Sequence, residues 1–176
     1  MKTLIVIVIA IVVVIVVLAA VVALVGSRLP KNHTASRSIL LHRSPKEVYD
    51  VVRDFNSSPS WRSGVKSVEV KTQPDGKTNF REVGSDTIDY EVAEDVPGRR
   101  LVTRILNTDL GYSGKWTYEF LPESDGTRVK ITEDGEVSNV LFRFMSRYVF
   151  GHTATLDTYL TSLAKRFGEN VNSESL

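Results

Sequence analysis

Lys115-Trp116-Thr117-Tyr118-Glu119-Phe120-Leu121 alternates large aromatic side chains with polar ones. Successive side chains of a strand point to opposite faces. Trp116, Tyr118 and Phe120 therefore share one face, and Lys115, Thr117 and Glu119 share the other. A sheet with one face to cover and one that tolerates water is antiparallel in the usual case. The same period recurs on both sides of this stretch. Residues 128–132 turn Val129 and Ile131 inward, and residues 86–94 set Ile88, Tyr90 and Val92 against Thr87, Asp89 and Glu91. Shorter runs at 65–71, 79–83 and 100–106 also read as strands. Pro74-Asp75-Gly76, Val96-Pro97-Gly98 and the residues between Glu123 and Gly126 supply turn chemistry between them.

Working outward, Ile39-Leu40-Leu41 suits a first strand. Ser44-Pro45-Lys46-Glu47 follows as a helix start: Ser44 as N-cap, Pro45 in the first turn, and Glu47 closing a capping box. Val48, Val51, Val52 and Phe55 then recur at helical spacing, and Pro59 ends the pattern. At the other end, residues 140–167 read as one long helix after Asn139 as N-cap. Its apolar stripe runs through Leu141, Phe144, Met145, Tyr148 and Val149 and continues with Leu156, Tyr159, Leu160, Leu163 and Phe167. Gly151 interrupts it, at a cost of about 1 kcal/mol relative to Ala, and offers a place for a bend. A one-sided sheet must be covered, and this helix is the element large enough to do it. The expected class is α+β: a curved antiparallel sheet of about seven strands around a long C-terminal helix.

This order of elements resembles the START-like superfamily, also called the SRPBCC or helix-grip fold, and within it the polyketide cyclase/dehydrase and lipid-transport family. The resemblance is carried by Ser44-Pro45-Lys46-Glu47-Val48-Tyr49 with Asp54-Phe55, by Pro59-Ser60-Trp61, and by Val65-Lys66-Ser67-Val68. Further matches are Gly114-Lys115-Trp116-Thr117-Tyr118-Glu119, then Gly126-Thr127-Arg128-Val129 with Thr132-Glu133, and the C-terminal helix. It implies an apolar cavity between sheet and helix, in a superfamily whose members bind lipids, sterols, quinones, plant hormones and polyketides. Some members are cyclases or dehydratases and many are carriers.

Before the domain, every residue from 4 to 25 is Leu, Ile, Val or Ala. As a helix this run spans about 33 Å at about 1.5 Å per residue, against a hydrocarbon core of about 30 Å. Lipid selects a helix even from a run rich in Val and Ile, because backbone groups must be satisfied internally. A cleaved signal peptide would have a core of about 7–15 residues and a small-residue cleavage site after it; neither is present here. The expected organisation is a transmembrane anchor at 1–25, a linker at 26–36, a START-like domain at 37–167 and a flexible tail at 168–176. Arg28, Lys31 and Arg37 follow the run, whereas Lys2 and the α-amino group precede it. This places the domain on the cytoplasmic side of a single-pass membrane protein.

Charge and composition exclude several classes. The chain has 22 Lys and Arg against 21 Asp and Glu, and Lys2 precedes the anchor. The domain is thus formally neutral and lacks the basic excess of a nucleic-acid binder. Without cysteine there is no disulfide, no thiolate nucleophile and no Cys-ligated zinc. The three histidines lack metal-ligand spacing, and neither a phosphate-binding glycine loop nor a nucleophile elbow occurs. No metal or cofactor is expected, and nothing identifies a protein partner.

The expected ligand-binding residues are Trp61, Tyr90, Trp116, Tyr118, Phe120, Phe144 and Tyr148, an aromatic set that as a whole suits an apolar pocket, although for any single one of them core packing is the favoured reading. His152, beside Gly151, is a candidate acid or base. Glu133, in phase with Val129 and Ile131, is a second candidate if that phase holds to the end of the strand. Arg143 and Arg147 lie one turn apart, either as a solvated helix face or against lipid head groups. The expected role is membrane-anchored binding or transport of a small hydrophobic ligand: a lipid, quinone or polyketide-like molecule. A cyclase/dehydratase-type enzyme acting on an apolar substrate and an interaction domain without ligand are the alternatives.

Overall fold

A computed structural model describes residues 1–151 and 153–175, with the backbone alone for Phe150. Helix α1 (Lys2–Arg28) contains the apolar run. The window of highest hydropathy averages 3.9, and none of it is buried by the rest of the chain. A core helix would be covered, so the run is not explained by packing within the domain; it is long and apolar enough to cross a membrane.

The domain continues with β1 (Asn32–Leu41), α2 (Pro45–Arg53), a short 3-10 turn (Phe55–Ser60), β2 (Ser67–Thr72), β3 (Thr78–Val83) and β4 (Thr87–Val96). Then come β5 (Arg100–Ile105), β6 (Tyr112–Glu123), β7 (Gly126–Val137), α3 (Val140–Met145), a π turn (Ser146–Phe150) and α4 (Ala154–Arg166). The strands form a 7-stranded sheet in the order β1-β7-β6-β5-β4-β3-β2, antiparallel throughout. β1 meets β7, its partner from the far end of the chain, and every other neighbour follows in sequence. The class is the α+β, START-like one expected.

Local chemistry accounts for the elements. Ser44 caps α2 by accepting from the backbone N–H of Glu47 at 3.4 Å, while its own N–H donates to Glu47 Oε2 at 2.9 Å. The buried face of α2 is Val48, Tyr49 and Val52. In the sheet, Trp116 pairs with Glu133, Tyr118 with Ile131 and Phe120 with Val129, so alternation on two strands yields one continuous inner face. Leu156, Tyr159, Leu160 and Leu163 of α4 bury against it. Leu101, Ile131, Leu156, Leu160 and Leu163 are fully covered.

Three expectations change. Residues 32–36, expected within the linker, are the first half of β1 and pair with β7 down to Asn32↔Glu136. Their strand character comes from the ladder, because Asn32-His33-Thr34 shows no apolar period. The tail expected to be flexible returns to the sheet: the N–H of Ser38 donates to the carbonyl of Glu174 at 3.1 Å, and the N–H of Glu174 to that of Ser38 at 2.8 Å. β1 is an edge strand, and this bridge covers backbone groups that would otherwise be open to pairing. Finally, the helix expected over 140–167 is divided. Gly151 takes φ +76°, a left-handed conformation that ends one helix and lets the next set off in a new direction.

Candidate functional site

The C-terminal division shapes the site. α4 lies over the inner face of the sheet. Between its first turns, Trp116 of β6 and the loop after the 3-10 turn is a cleft of about 450 Å³. Arg62, Trp116, Ser146, Gly151, Thr158 and Tyr159 are among the residues that bound it. A wider depression of about 580 Å³ lies over the β6–β7 turn. It is open, polar and without an aromatic wall, whereas a smaller hollow of about 280 Å³ on β3 and β4 is lined by Phe80, Tyr90 and Leu106.

Tyr159 is the hub. Its ring lies 5.4 Å from Trp61 and 5.6 Å from Trp116, both edge-on, and 5.7 Å from Tyr118. The Arg62 guanidinium stands 5.0 Å from the same ring, close enough for a cation–π contact. Arg62 also donates to both oxygens of Glu82, at 2.5 and 3.1 Å, with side-chain exposures of 21% and 13%. Burial disfavours the guanidinium charge, but Glu82 and the neighbouring phenols outweigh it and raise the Arg62 pKa.

Burial raises the phenols too. That of Tyr118 is pushed up to about 12, against the pull of the Arg62 charge and a hydrogen bond with Thr103. Tyr159 is raised well above the ordinary value, by burial first and then by Tyr118. Tyr90 is raised by burial and by Glu82. At neutral pH these phenols keep their protons. The Trp61 indole N–H is buried and has no hydrogen-bond partner among the described residues, an arrangement that costs about 1–3 kcal/mol.

The expected ligand-binding residues fall into four groups. Trp61, Trp116 and Tyr118 meet around Tyr159. Tyr90 stacks on Phe80 at 4.8 Å, and Phe80 on Phe55 at 4.0 Å, extending the aromatic layer toward β3. Phe120 sits deep in the core against Tyr49 at 5.6 Å. Phe144 and Tyr148 pair with each other at 5.0 Å on α3 and the π turn, where Tyr148 is exposed; they do not join the others.

Glu133 holds its inward phase. It accepts from Trp116 Nε1 at 2.9 Å, and its other oxygen lies 3.1 Å from His33 Nε2. His33 reaches it because β1 begins early and passes Gly135, where a Cβ would stand only 2.3 Å from the imidazole. His152 lies outside the described residues. Arg143 is neither a solvated residue nor a lipid-facing one: it is buried and donates to the carbonyl of Leu29 at 3.0 Å.

Arg62, Glu82 and Tyr159 were not singled out from the sequence as site residues. Tyr159 reads as one more member of an apolar helical stripe, and Arg62 as a loop cation. Glu82 did carry a signal: it shares the period-two phase of Phe80 in a short strand, which turns it inward.

Solved structures share this architecture. A START superfamily protein from Mycobacterium smegmatis is 16% identical and superposes with a TM-score of 0.62 over 76% of this chain and 96% of its own. The Zhui aromatase/cyclase from a Streptomyces species is 12% identical, with a TM-score of 0.59 over 77% of this chain and 93% of its own. A Thermus thermophilus protein is 23% identical, with a TM-score of 0.59 over 77% and 95%. No curated protein matches the sequence. Residues 32–168 match the family described as polyketide cyclase / dehydrase and lipid transport. The strand that starts at Asn32, the seven-stranded sheet and the covering helix all fall within that span, and the chain belongs to this family.

Proposed function

We propose that the domain binds a small, neutral, largely apolar molecule bearing a carbonyl or comparable acceptor oxygen, and that α1 holds it at a membrane through residues 4–25. The observation that carries this reading is the convergence of Trp116, Tyr159 and Arg62 on one cleft, with Glu82 holding Arg62 from behind. Trp116 and Tyr159 give the cleft wall an aromatic part, Arg62 offers a cationic donor, and the hydroxyls of Ser63, Ser146, Thr155, Thr158 and Ser162 supply the remaining polar groups. Because Glu82 already neutralises Arg62, the site suits a neutral carbonyl better than a free carboxylate. A lipid, a quinone and a polyketide-like molecule meet this description, and the family description includes lipid transport. The cleft exceeds the roughly 300 Å³ at which ligand pockets begin, which weighs against an interaction domain without ligand. The basic residues after α1 favour a cytoplasmic domain.

Native mass spectrometry and organic extraction of the full chain, purified in mild detergent, test this reading. A co-purifying apolar molecule, displaced on loss of the Trp116 ring, is expected. A chain that arrives empty and fails to bind quinone or acyl probes in vesicles would overturn it.

A second reading is a cyclase- or dehydratase-type enzyme. Glu133, shared between the Trp116 indole and His33, is the observation in its favour, since it places a carboxylate directly behind the Trp116 that walls the cleft. Glu133→Gln that keeps the ligand but abolishes turnover of an apolar ketone would support it.

A further inference from the structure

α3 and the π turn carry an apolar surface that the domain does not cover. Leu141 is 54% exposed and Phe142 44%; seven residues on, Tyr148 is 59% and Val149 57%. Both pairs are thus open on one continuous helical segment, the first on α3 and the second on the π turn that follows it. The aromatic site uses none of the four.

This element is tied to the end of α1. α3 packs against α1, and the shielded positions of α1 there are Val22, Val25 and Gly26. Gly26 approaches so closely that a Cβ would stand 2.5 Å from the carbonyl oxygen of Val140. Arg143 closes the joint, donating to the carbonyls of Leu29 at 3.0 Å and Ser138 at 3.4 Å. Val25 ends the apolar run, so the joint lies where α1 leaves hydrocarbon. Residues 140–150 include no acidic residue, and Arg28, Lys31 and Arg147 are exposed around the joint.

We infer that α3 and the π turn lie in the interfacial layer of the same bilayer, with Leu141, Phe142, Tyr148 and Val149 in the acyl boundary and the three cations at anionic head groups. An interfacial helix of this kind sinks about 5–10 Å. Ser146 and Gly151, which bound the cleft, then stand at the lipid, and the cleft opens toward the bilayer. The inference rests on the reading that α1 crosses a membrane.

The chain has no cysteine, so single substitutions carry a spin label at one place each. Leu141→Cys, Val149→Cys, Val17→Cys and Lys77→Cys would be labelled in the full chain. Each would be reconstituted in vesicles of phosphatidylcholine and phosphatidylglycerol and relaxed with oxygen or a soluble nickel chelate. Labels at 141 and 149 should be several-fold less accessible to nickel than the label at 77 and more accessible to oxygen, at a depth shallower than the label at 17. If 141 and 149 match 77 while 17 is in lipid, α1 is an anchor and the inference falls alone. If 17 is also open to nickel, the transmembrane reading falls with it. Labels at 141 and 149 shielded from both reagents and broadened by each other would show a second copy on this surface, which also overturns the inference.

Discussion

Arg62 and Glu82 meet in a two-pronged ion pair, 2.5 and 3.1 Å, at the level of the Tyr159 ring. Removing one member of a buried pair strands the other's charge, at about 3–5 kcal/mol, whereas replacing both with apolar residues is often neutral or stabilising. Glu82→Gln should therefore destabilise the domain by about 3 kcal/mol, and the double change Arg62→Met with Glu82→Leu should recover most of that. Urea unfolding in detergent, followed by tryptophan fluorescence, measures both. The double variant should still lose affinity for a carbonyl-bearing probe, because it removes the guanidinium from the cleft.

Trp116 walls the cleft and anchors Glu133. Trp116→Ala should weaken binding of an apolar probe by more than tenfold, about 1.4 kcal/mol, and by more than it lowers stability. Titration of a fluorescent quinone or acyl probe alongside urea unfolding makes the comparison. Equal losses would mark Trp116 as a packing residue.

The Tyr118 phenol rises from 10.0 to about 12 in the folded chain. A raised pKa means that the folded state holds the proton more tightly. Its contribution to stability is complete below pH 10 and is lost as the pH climbs through about 12. Absorbance at the phenolate band should show a class of tyrosines that does not ionise at pH 10 and titrates only as circular dichroism reports unfolding. Tyr118→Phe should shrink that class.

Gly151 turns the chain between the π turn and α4 at φ +76°, and a Cβ there would meet nothing within 4 Å. The cost of Gly151→Ala is thus conformational, about 1 kcal/mol or more. Gly151→Asn should cost less, since Asn tolerates the left-handed region. Thermal melts of the two variants would order them.

Much of the architecture was legible in residues 115–121 and their neighbours, because a period of two reports which side chains share a face without reference to any distant residue. The capping box at Ser44 and the apolar run at 4–25 were legible for the same reason: each is a local arrangement, satisfied within a few residues or within one helix. The period alone left Glu133 either inward or wet, and the continuation of β7 to Val137 decided between them.

Pairings between distant segments were not legible. The strand character of 32–36 and the return of Glu174 to Ser38 depend on backbone partners from the far end of the chain. Whether Gly151 bends a helix or breaks it depends on which direction of α4 buries Leu156, Leu160 and Leu163. The site followed the same rule. Sequence supplied the aromatic side chains, but Arg62, Glu82 and Tyr159 come from a loop, a strand and a helix, and nothing local to any of them specifies the others. By itself the sequence determined an apolar helix followed by a one-sided antiparallel sheet and its covering helix, because burial and period are written residue by residue. Only the tertiary structure decided that a largely covered ion pair sits beside the Trp116 cleft and that α3 is bolted to the end of α1, because those contacts exist only once the chain has closed on itself.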